Sequence, residues 1–408
     1  MSSKIAIIGG GAAGLMAAII AARQGGDITL YEHNPSVGKK ILASGNGRCN
    51  IINTTATADD YFGTNPDFVS YALEQLPFSD FITFCHSIGL LLDVKEDGRC
   101  YPLSNEAKAV LNALASAAKN AGVKILIDNK VTQISKTQET FVVHTNNEKT
   151  KYNKVLIATG SQAAPQLGAS EDGYRFAAAF GHTIVPTYPS LVQLHLNSKI
   201  HHKMAGVKTF AEVTLHINNK EVEKVQGDIL FASYGISGLA ILDISQKASL
   251  ALLKDQKVML SINLLPRFNP QELSDILHQL IPSVPNHTLE TVLGGLVPAK
   301  TVAYLCEAAL INPAKTVSSL TPKEITKLIG LIRDWKFEAI DTHGFKHAEV
   351  SGGGVATKEI NKKTMESNLV SGLYFAGEVL DIVGRRGGYN FNFAWASGMI
   401  AGRQMAKK

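Results

Sequence analysis

The chain predicts an α/β fold with a β-rich insertion, and three observations carry that prediction. A short apolar strand at the N-terminus runs into a glycine turn and then an Ala-rich helix. Buried-strand patterns return near 154–160 and 372–378, as if to the same sheet. Between them, residues 191–262 switch to short alternating strands and 269–332 to helical periodicity.

Taken in order, Ile5-Ala6-Ile7-Ile8 reads as a buried parallel strand. Gly9-Gly10-Gly11-Ala12-Ala13-Gly14 fits G-x-G-x-x-G, and Leu15 to Arg23 reads as the helix that follows. Ile28 to Tyr31 is a second strand ending at Glu32, 18 residues past Gly14. The spacing suits a dinucleotide. Gly9 permits a tight turn, Gly11 leaves space for a pyrophosphate, and Gly14 lets the helix approach the sheet. The helix N-terminus attracts phosphate, and Glu32 can accept from both ribose hydroxyls. A structural glycine turn is the competing reading, and the motif by itself does not separate FAD from NAD.

The next segment favours a flavin. A loop from Gly38 to Asn50 is rich in glycine and polar donors where a plain dehydrogenase would continue with a helix. Gly45 and Gly47 allow close backbone approach, and Ser44, Asn46, Arg48 and Asn50 supply donors. Ala158-Thr159-Gly160 ends a strand expected to pass beside the cofactor. Gly377-Glu378 ends another, placing an acid for ribityl hydroxyls. Gly384 to Asn390 opens a small-residue helix from Ala394 to Gly402.

The rest of the first block reads as a helix at 105–121 and strands at 123–127, 130–134 and 141–145. In the insertion, 213–217, 221–225 and 258–262 read as strands. Asn269-Pro270 and Thr321-Pro322-Lys323-Glu324 read as helix starts, and Trp335 to Ile340 as a strand returning to a barrel. His201-His202 reads as a solvated pair. Three parts are expected: a nucleotide domain at 1–188 and 346–408, a β-rich substrate domain at 189–262 and 335–345, and a helical subdomain at 263–334.

Composition narrows the class. Of 408 residues, 45% are hydrophobic and 18% charged, which excludes a disordered chain. Cys49, Cys85, Cys100 and Cys306 show no CxxC spacing, so neither a zinc site nor a disulfide scaffold is expected. No apolar stretch reaches the length of a membrane span, and the run from Ile5 breaks at Gly9, unlike a signal peptide. A cytoplasmic location is expected. The formal charge is +5, with zero net charge over 1–189, +1 over 190–345 and +4 over 346–408. That distribution excludes a broad nucleic-acid-binding surface and leaves a small positive patch near Arg385 and Arg386.

Several of these motifs occur together in one known family. Gly9-x-Gly11-x-x-Gly14, Ser44-Gly45-Asn46-Gly47-Arg48-Cys49-Asn50, Asp97-Gly98-Arg99 with Pro102, Ala158-Thr159-Gly160 and Gly387-Gly388-Tyr389-Asn390 resemble the BaiN/YhiN-like FAD-dependent oxidoreductases over nearly the whole chain. The resemblance implies a Rossmann-like (GR2-type) FAD-binding domain, an inserted β-barrel-like subdomain and a small helical subdomain. It implies Gly9, Gly11, Gly14 and Glu32 around the ADP half, with Ala12, Ala13, His33 and Val131 also binding the cofactor. Lys40, Ser44, Gly45, Asn46, Arg48 and Cys49 would line the diphosphate and flavin side. Ala158, Thr159, Gly160, Gly377, Glu378, Gly387, Gly388, Tyr389 and Asn390 would hold the ribityl chain and ring. Asn392 stands where the family often has Gln, and Glu378 where many flavoproteins have Asp. Phe231 to Gly238 resembles a substrate-side loop of the family, and equally a strand with a tight turn.

The resemblance also implies chemistry: C=C reduction, with NADH or NADPH visiting as reductant and members linked to steroid dienones and to dihydrouridine in ribosomal RNA. Uridine in 23S ribosomal RNA is the favoured substrate. A small enone or amine and a non-catalytic flavin protein are the alternatives. Cys49, its pKa expected to be lowered by Arg48, and Tyr389 are candidate acids, although each reads more readily as packing. Arg99 and Arg386 are candidates for holding an anion or flavin carbonyls, or for structural roles. No membrane partner is expected, and the oligomeric state is not legible.

Overall fold

The computed structural model describes residues 3–198 and 200–407. The chain divides into two compact units, Met1–Tyr188 with Glu349–Lys408 and Pro189–Ala348.

The first unit is built on a five-stranded parallel sheet in the order Leu373–Phe375, Lys154–Ile157, Lys4–Ile8, Asp27–Tyr31, Lys124–Leu126. The N-terminal strand is central. Ile7 pairs with Leu156 on one side and Leu30 on the other. A strand with neighbours on both edges and helices on its faces must be apolar throughout, and Ile5 to Ile8 are all buried. An antiparallel meander of Val131–Thr137, Thr140–Thr145 and Lys149–Tyr152 precedes the return to the sheet.

The first helix, Ala12–Arg23, is buried on nearly every side, which only small side chains allow. The last helix, Tyr389–Met405, packs against it. A Cβ on Gly398 would lie 2.4 Å from the Ala13 carbonyl oxygen, and one on Gly402 would lie 2.6 Å from that of Ala17. The four-residue spacing puts both glycines on one face. Glycine inside a helix costs about 1 kcal/mol against alanine, and here it permits backbone-to-backbone contact. Farther along, Trp395 is buried and its indole N–H donates to the Ile51 carbonyl at 2.7 Å. That bond ties the last helix to a small antiparallel sheet of Ile52–Asn53, Arg99–Pro102 and Leu92–Val94.

The second unit is a closed antiparallel barrel of six strands, in the order Leu194–Leu196, Gly235–Ser237, Lys220–Ala232, Lys208–Ile217, Val258–Asn263, Trp335–Thr342. Its longest hairpin turns at Asn218-Asn219, both with positive φ, as a two-residue hairpin turn demands. The strand read as 221–225 extends to 220–232. Gly227 does not end it: a Cβ there would touch the backbone of Ala240, so this glycine gives clearance to the helix Leu239–Leu253. Ser233-Tyr234 is a tight turn between paired strands, which fits the simpler reading of 231–238. Helices Pro270–Ser283 and Pro322–Arg333 begin with capping boxes, Asn269 with Glu272 and Thr321 with Glu324. The helices of 263–334 share one hydrophobic core with the barrel. His201 corrects the sequence reading: its side chain is buried and its ring lies tilted against that of His202, 4.1 Å away. Burial pushes its pKa below the ordinary value. Among the described residues, no helix is long and apolar enough to cross a membrane.

His182 is the first unit's own titrating lock. The side chain is fully buried, with Nε2 2.8 Å from Ser367 Oγ and Nδ1 3.2 Å from Glu359. Ser367 Oγ already accepts from the N–H groups of Leu369 and Val370, so its proton points to Nε2 and Nδ1 carries the ring proton. Burial lowers the pKa of His182, although Glu359 pulls the other way. The unfolded imidazole, near 6.5, therefore takes a proton first. Stability from this group is present above about pH 6.5 and is lost as pH falls through the lower folded value. Urea midpoints measured from pH 7.5 to 5.5 should fall for the native protein and fall less for His182→Gln. Equal slopes would remove His182 as the cause.

Candidate functional site

The glycine turn is the geometric start of the site. Gly9, at φ +107°, ends the central strand, and a Cβ there would lie 2.4 Å from the Ala158 carbonyl oxygen. A Cβ on Gly14 would lie 1.9 Å from the Gly9 carbonyl oxygen. Both glycines are therefore required by the protein's own backbone. Gly11 differs: nothing lies within 4 Å of a Cβ built on it. It caps the first helix without a side chain, and the first turn holds no acid. The open space faces uncapped N–H groups at the positive end of the helix, with Ala12 and Ala13 opening the first turn.

Glu32 is buried at the end of the second strand. Its Oε2 accepts from Gly10 N–H at 2.9 Å, and its Oε1 accepts from both the N–H and the side-chain amide of Asn34 at 2.8 Å. His33 Nδ1 lies 3.3 Å from the same oxygen. These donors satisfy the hydrogen-bonding capacity of a buried carboxylate. The Glu32 carbonyl accepts from Asn129 N–H, which brings the segment before Val131 beside it. Asn34 and Gly10 had no signal in the sequence beyond their nearness to the motif.

Glu378 is a second organised carboxylate. It accepts from Lys40 Nζ at 2.8 Å, Ser161 Oγ at 2.7 Å and Ser351 N–H at 3.0 Å. Four separate stretches of chain meet on this one side chain. Gly160 is adjacent: a Cβ there would lie 4.0 Å from Glu378 Oε2. Gly377, at φ +76°, would place a Cβ 2.9 Å from that of Ala13, so the Gly-Glu strand end lies against the first helix. Ser161 and Ser351 went unnoticed in the sequence because lone serines carry no pattern. Asp381 was also missed. It is 2% exposed and accepts from Thr64 N–H and Oγ1 at 2.9 and 2.6 Å.

The loop after Lys40 is exposed and tightly wound. Gly45, Asn46 and Gly47 all have positive φ. Ser44 Oγ donates to the Ile41 carbonyl. Arg48 donates from Nε to the Gly45 carbonyl and lies 5.3 Å over the Tyr101 ring. Cys49 corrects the expected pKa. It is fully buried, and burial pushes its thiol up to about 12, with only the Ser44 hydroxyl pulling it down. Arg48 does not offset this because its guanidinium is turned to Tyr101.

A third group gathers at the start of the last helix. Asn53 Nδ2 donates to the Gly387 carbonyl at 3.0 Å, and a Cβ on Gly387 would lie 3.5 Å from the Tyr389 ring and 3.8 Å from Arg99 Cδ. Tyr389 and Arg99, far apart in sequence, are thus neighbours, and Asn53 joins them unforeseen. Arg99 is held by Asp97, with Nε 2.7 Å from Oδ2, which raises its already high pKa. Gly388 passes within contact of the Ile52 backbone. Tyr61 donates its hydroxyl to the Tyr389 carbonyl at 2.9 Å. Asn390 is spent on its own loop, accepting from Gly384 N–H and donating to the carbonyls of Gly384 and Arg385. Asn392 is buried, with its amide 3.5 Å from the Asn53 carbonyl. Among the described residues, no group of three or more His, Cys, Asp or Glu is arranged to hold a metal.

Comparison with known proteins agrees with this architecture. Residues 3–404 match the HI0933-like protein Rossmann domain. The chain is 34% identical to a 3-dehydro-bile acid delta(4,6)-reductase of Clostridium scindens, over all of both chains. It is also 34% identical to a ribosomal RNA dihydrouridine synthase of Haemophilus influenzae, over 97% of this chain and 96% of that one. A 3-ketosteroid delta1-dehydrogenase of Sterolibacterium denitrificans shares the fold, with a TM-score of 0.51 at 13% identity, covering 99% of this chain and 100% of that one. The strand–glycine–helix turn, its buried acid and the full-length match together show that the chain belongs to the HI0933-like Rossmann-domain family of FAD-dependent oxidoreductases.

Proposed function

We propose that this oxidoreductase reduces a C=C bond conjugated to a carbonyl, and that its substrate is uridine in 23S ribosomal RNA, converted to dihydrouridine in the cytoplasm. The observation that carries the reading is the end-to-end similarity to two relatives with different substrates. A 3-oxo steroid with unsaturation at C4 and C6 and the uracil C5–C6 bond share one electronic feature. Each is an alkene made electron-poor by a carbonyl. An enzyme framework common to both is suited to that feature.

The residues fit FAD. The open space at Gly11 and the uncapped helix suit its diphosphate, and Glu32, already oriented by Gly10 and Asn34, suits the adenosine ribose. Lys40, Ser161 and Glu378 supply polar groups for the ribityl side. Bound FAD, reduced by transient NADH or NADPH, supplies the hydride.

The chain must supply the proton and the orientation. Tyr389, half-buried beside Gly387, is the better placed donor. Cys49, sealed from solvent with its thiol near 12, is the poorer one. Arg99, always charged and anchored by Asp97, would polarise the carbonyl whose alkene is reduced.

A second reading, reduction of a small steroid-like enone, is favoured by the match to the bile-acid enzyme over the full length of both chains. Substrate turnover separates the two.

Deleting the gene should abolish one dihydrouridine in 23S ribosomal RNA, measured by mass spectrometry. An unchanged level would sink the RNA substrate. Tyr389→Phe should lower kcat about a hundredfold and leave KM within about twofold. Gly11→Val should keep the native thermal midpoint of the cofactor-free protein, since a Cβ there has nothing within 4 Å, and should lose visible flavin absorbance. A yellow Gly11→Val protein would overturn the placement of the diphosphate.

A further inference from the structure

We propose that the barrel unit carries a base-stacking site for single-stranded RNA, built on Tyr234, His343 and His347. The proposal rests on the RNA reading above and adds where the nucleotide chain is held.

Three rings from two separate loops form one column. His343 is stacked on Tyr234 at 3.9 Å with an interplanar angle of 15°, and His347 lies tilted against His343 at 4.0 Å with an angle of 33°. The middle ring is fixed from two sides. His343 Nδ1 lies 2.8 Å from His195 Nε2, and its backbone N–H donates to the Gln193 carbonyl at 2.8 Å. The Tyr234 end is set by the tight turn between paired strands, and His347 by its N–H bond to the Gly344 carbonyl at 3.1 Å.

The column is not core packing. His347 is exposed, and His195, Tyr234 and His343 are only half-buried, while the barrel interior is filled by residues such as Phe231, Ile236 and Phe337. Nor is it a metal centre. The His195–His343 nitrogens are 2.8 Å apart, a separation that accommodates a shared proton, and no third ligand set is arranged among the described residues. What remains is a half-open stack of flat rings with hydrogen-bonding edges. A nucleobase fits that chemistry: it extends the stack through its π-face and meets ring N–H and hydroxyl groups with its own polar edge. The barrel unit, 189–348, carries a net charge of only +2. Recognition there depends on stacking and not on a dense basic surface.

The test uses the full-length flavin-loaded enzyme and a fluorescein-labelled, uridine-rich single-stranded RNA of about ten nucleotides, a length within the reach of one binding surface. Fluorescence anisotropy should show His347→Ala weakening Kd about tenfold. His347→Phe, which keeps a flat ring, should stay within about twofold of native. His347→Ala should raise KM for RNA without changing kcat, and should leave the thermal midpoint in place because the side chain is exposed. Native Kd in both His347→Ala and Tyr234→Ala, with dihydrouridine still formed, would overturn the stacking site and leave the proposed function standing. A native enzyme that neither binds the oligomer nor forms dihydrouridine would overturn both.

Discussion

The contact between the first and last helices is the constraint on which the first unit depends. Ala13 and Ala17 meet Gly398 and Gly402 at a distance that admits no Cβ. Few arrangements of two helices satisfy that contact, because any larger side chain would push the backbones apart. The consequence is positional. Gly377 is drawn against Ala13, Glu378 comes to the mouth of the glycine turn, and Gly387 to Tyr389 are set against Asn53 and Arg99. Residues more than 300 apart in sequence are aligned by a contact that contains no chemistry of its own.

Charge burial is the second theme. Glu32 and Asp381 are nearly inaccessible, and Glu378 is mostly covered. An unpaired carboxylate in such places would protonate or destabilise the fold by several kcal/mol. Each is instead met by two or more donors, chiefly backbone N–H groups and short hydroxyls. Backbone donors cannot rotate away, so these carboxylates are oriented as well as satisfied. A ligand hydroxyl placed at Glu32 or Glu378, as the proposed cofactor site requires, would meet an acceptor that needs little reorganisation, which is the condition for tight recognition.

Local patterns were readable from the chain, and distant partners were not. The strand, glycines, helix and acid of residues 5–32 are a contiguous signal whose parts confirm one another. The capping boxes at Asn269 and Thr321 are equally local, and both form. Ser161, Ser351 and Asn53 matter through partners 217, 27 and 334 residues away, a relation no local pattern encodes. Cys49 shows the same limit from the other side. Its neighbour Arg48 promised a lowered pKa, but adjacency in sequence did not become adjacency in space, and burial dominated. His201 looked solvated because it sits in a polar stretch, yet the fold buries it beside an exposed twin.

The charge distribution takes on a different meaning once the side chains are placed. The surplus of the final segment suggested a positive patch at Arg385 and Arg386. Arg385, however, faces Asp60 at 3.4 Å and lies over the Phe62 ring, so part of that patch is neutralised locally. In the second unit several basic side chains are likewise paired, as Lys203 is with Glu307, Lys208 with Asp228 and Lys315 with Glu324. A polyanion attracted only through such a surface would bind weakly and lose affinity steeply with salt. An RNA substrate, as proposed above, would draw its selectivity from contacts that salt does not screen. Flat, half-exposed rings would supply that kind of contact, and a shallow salt dependence of binding would be its physical signature.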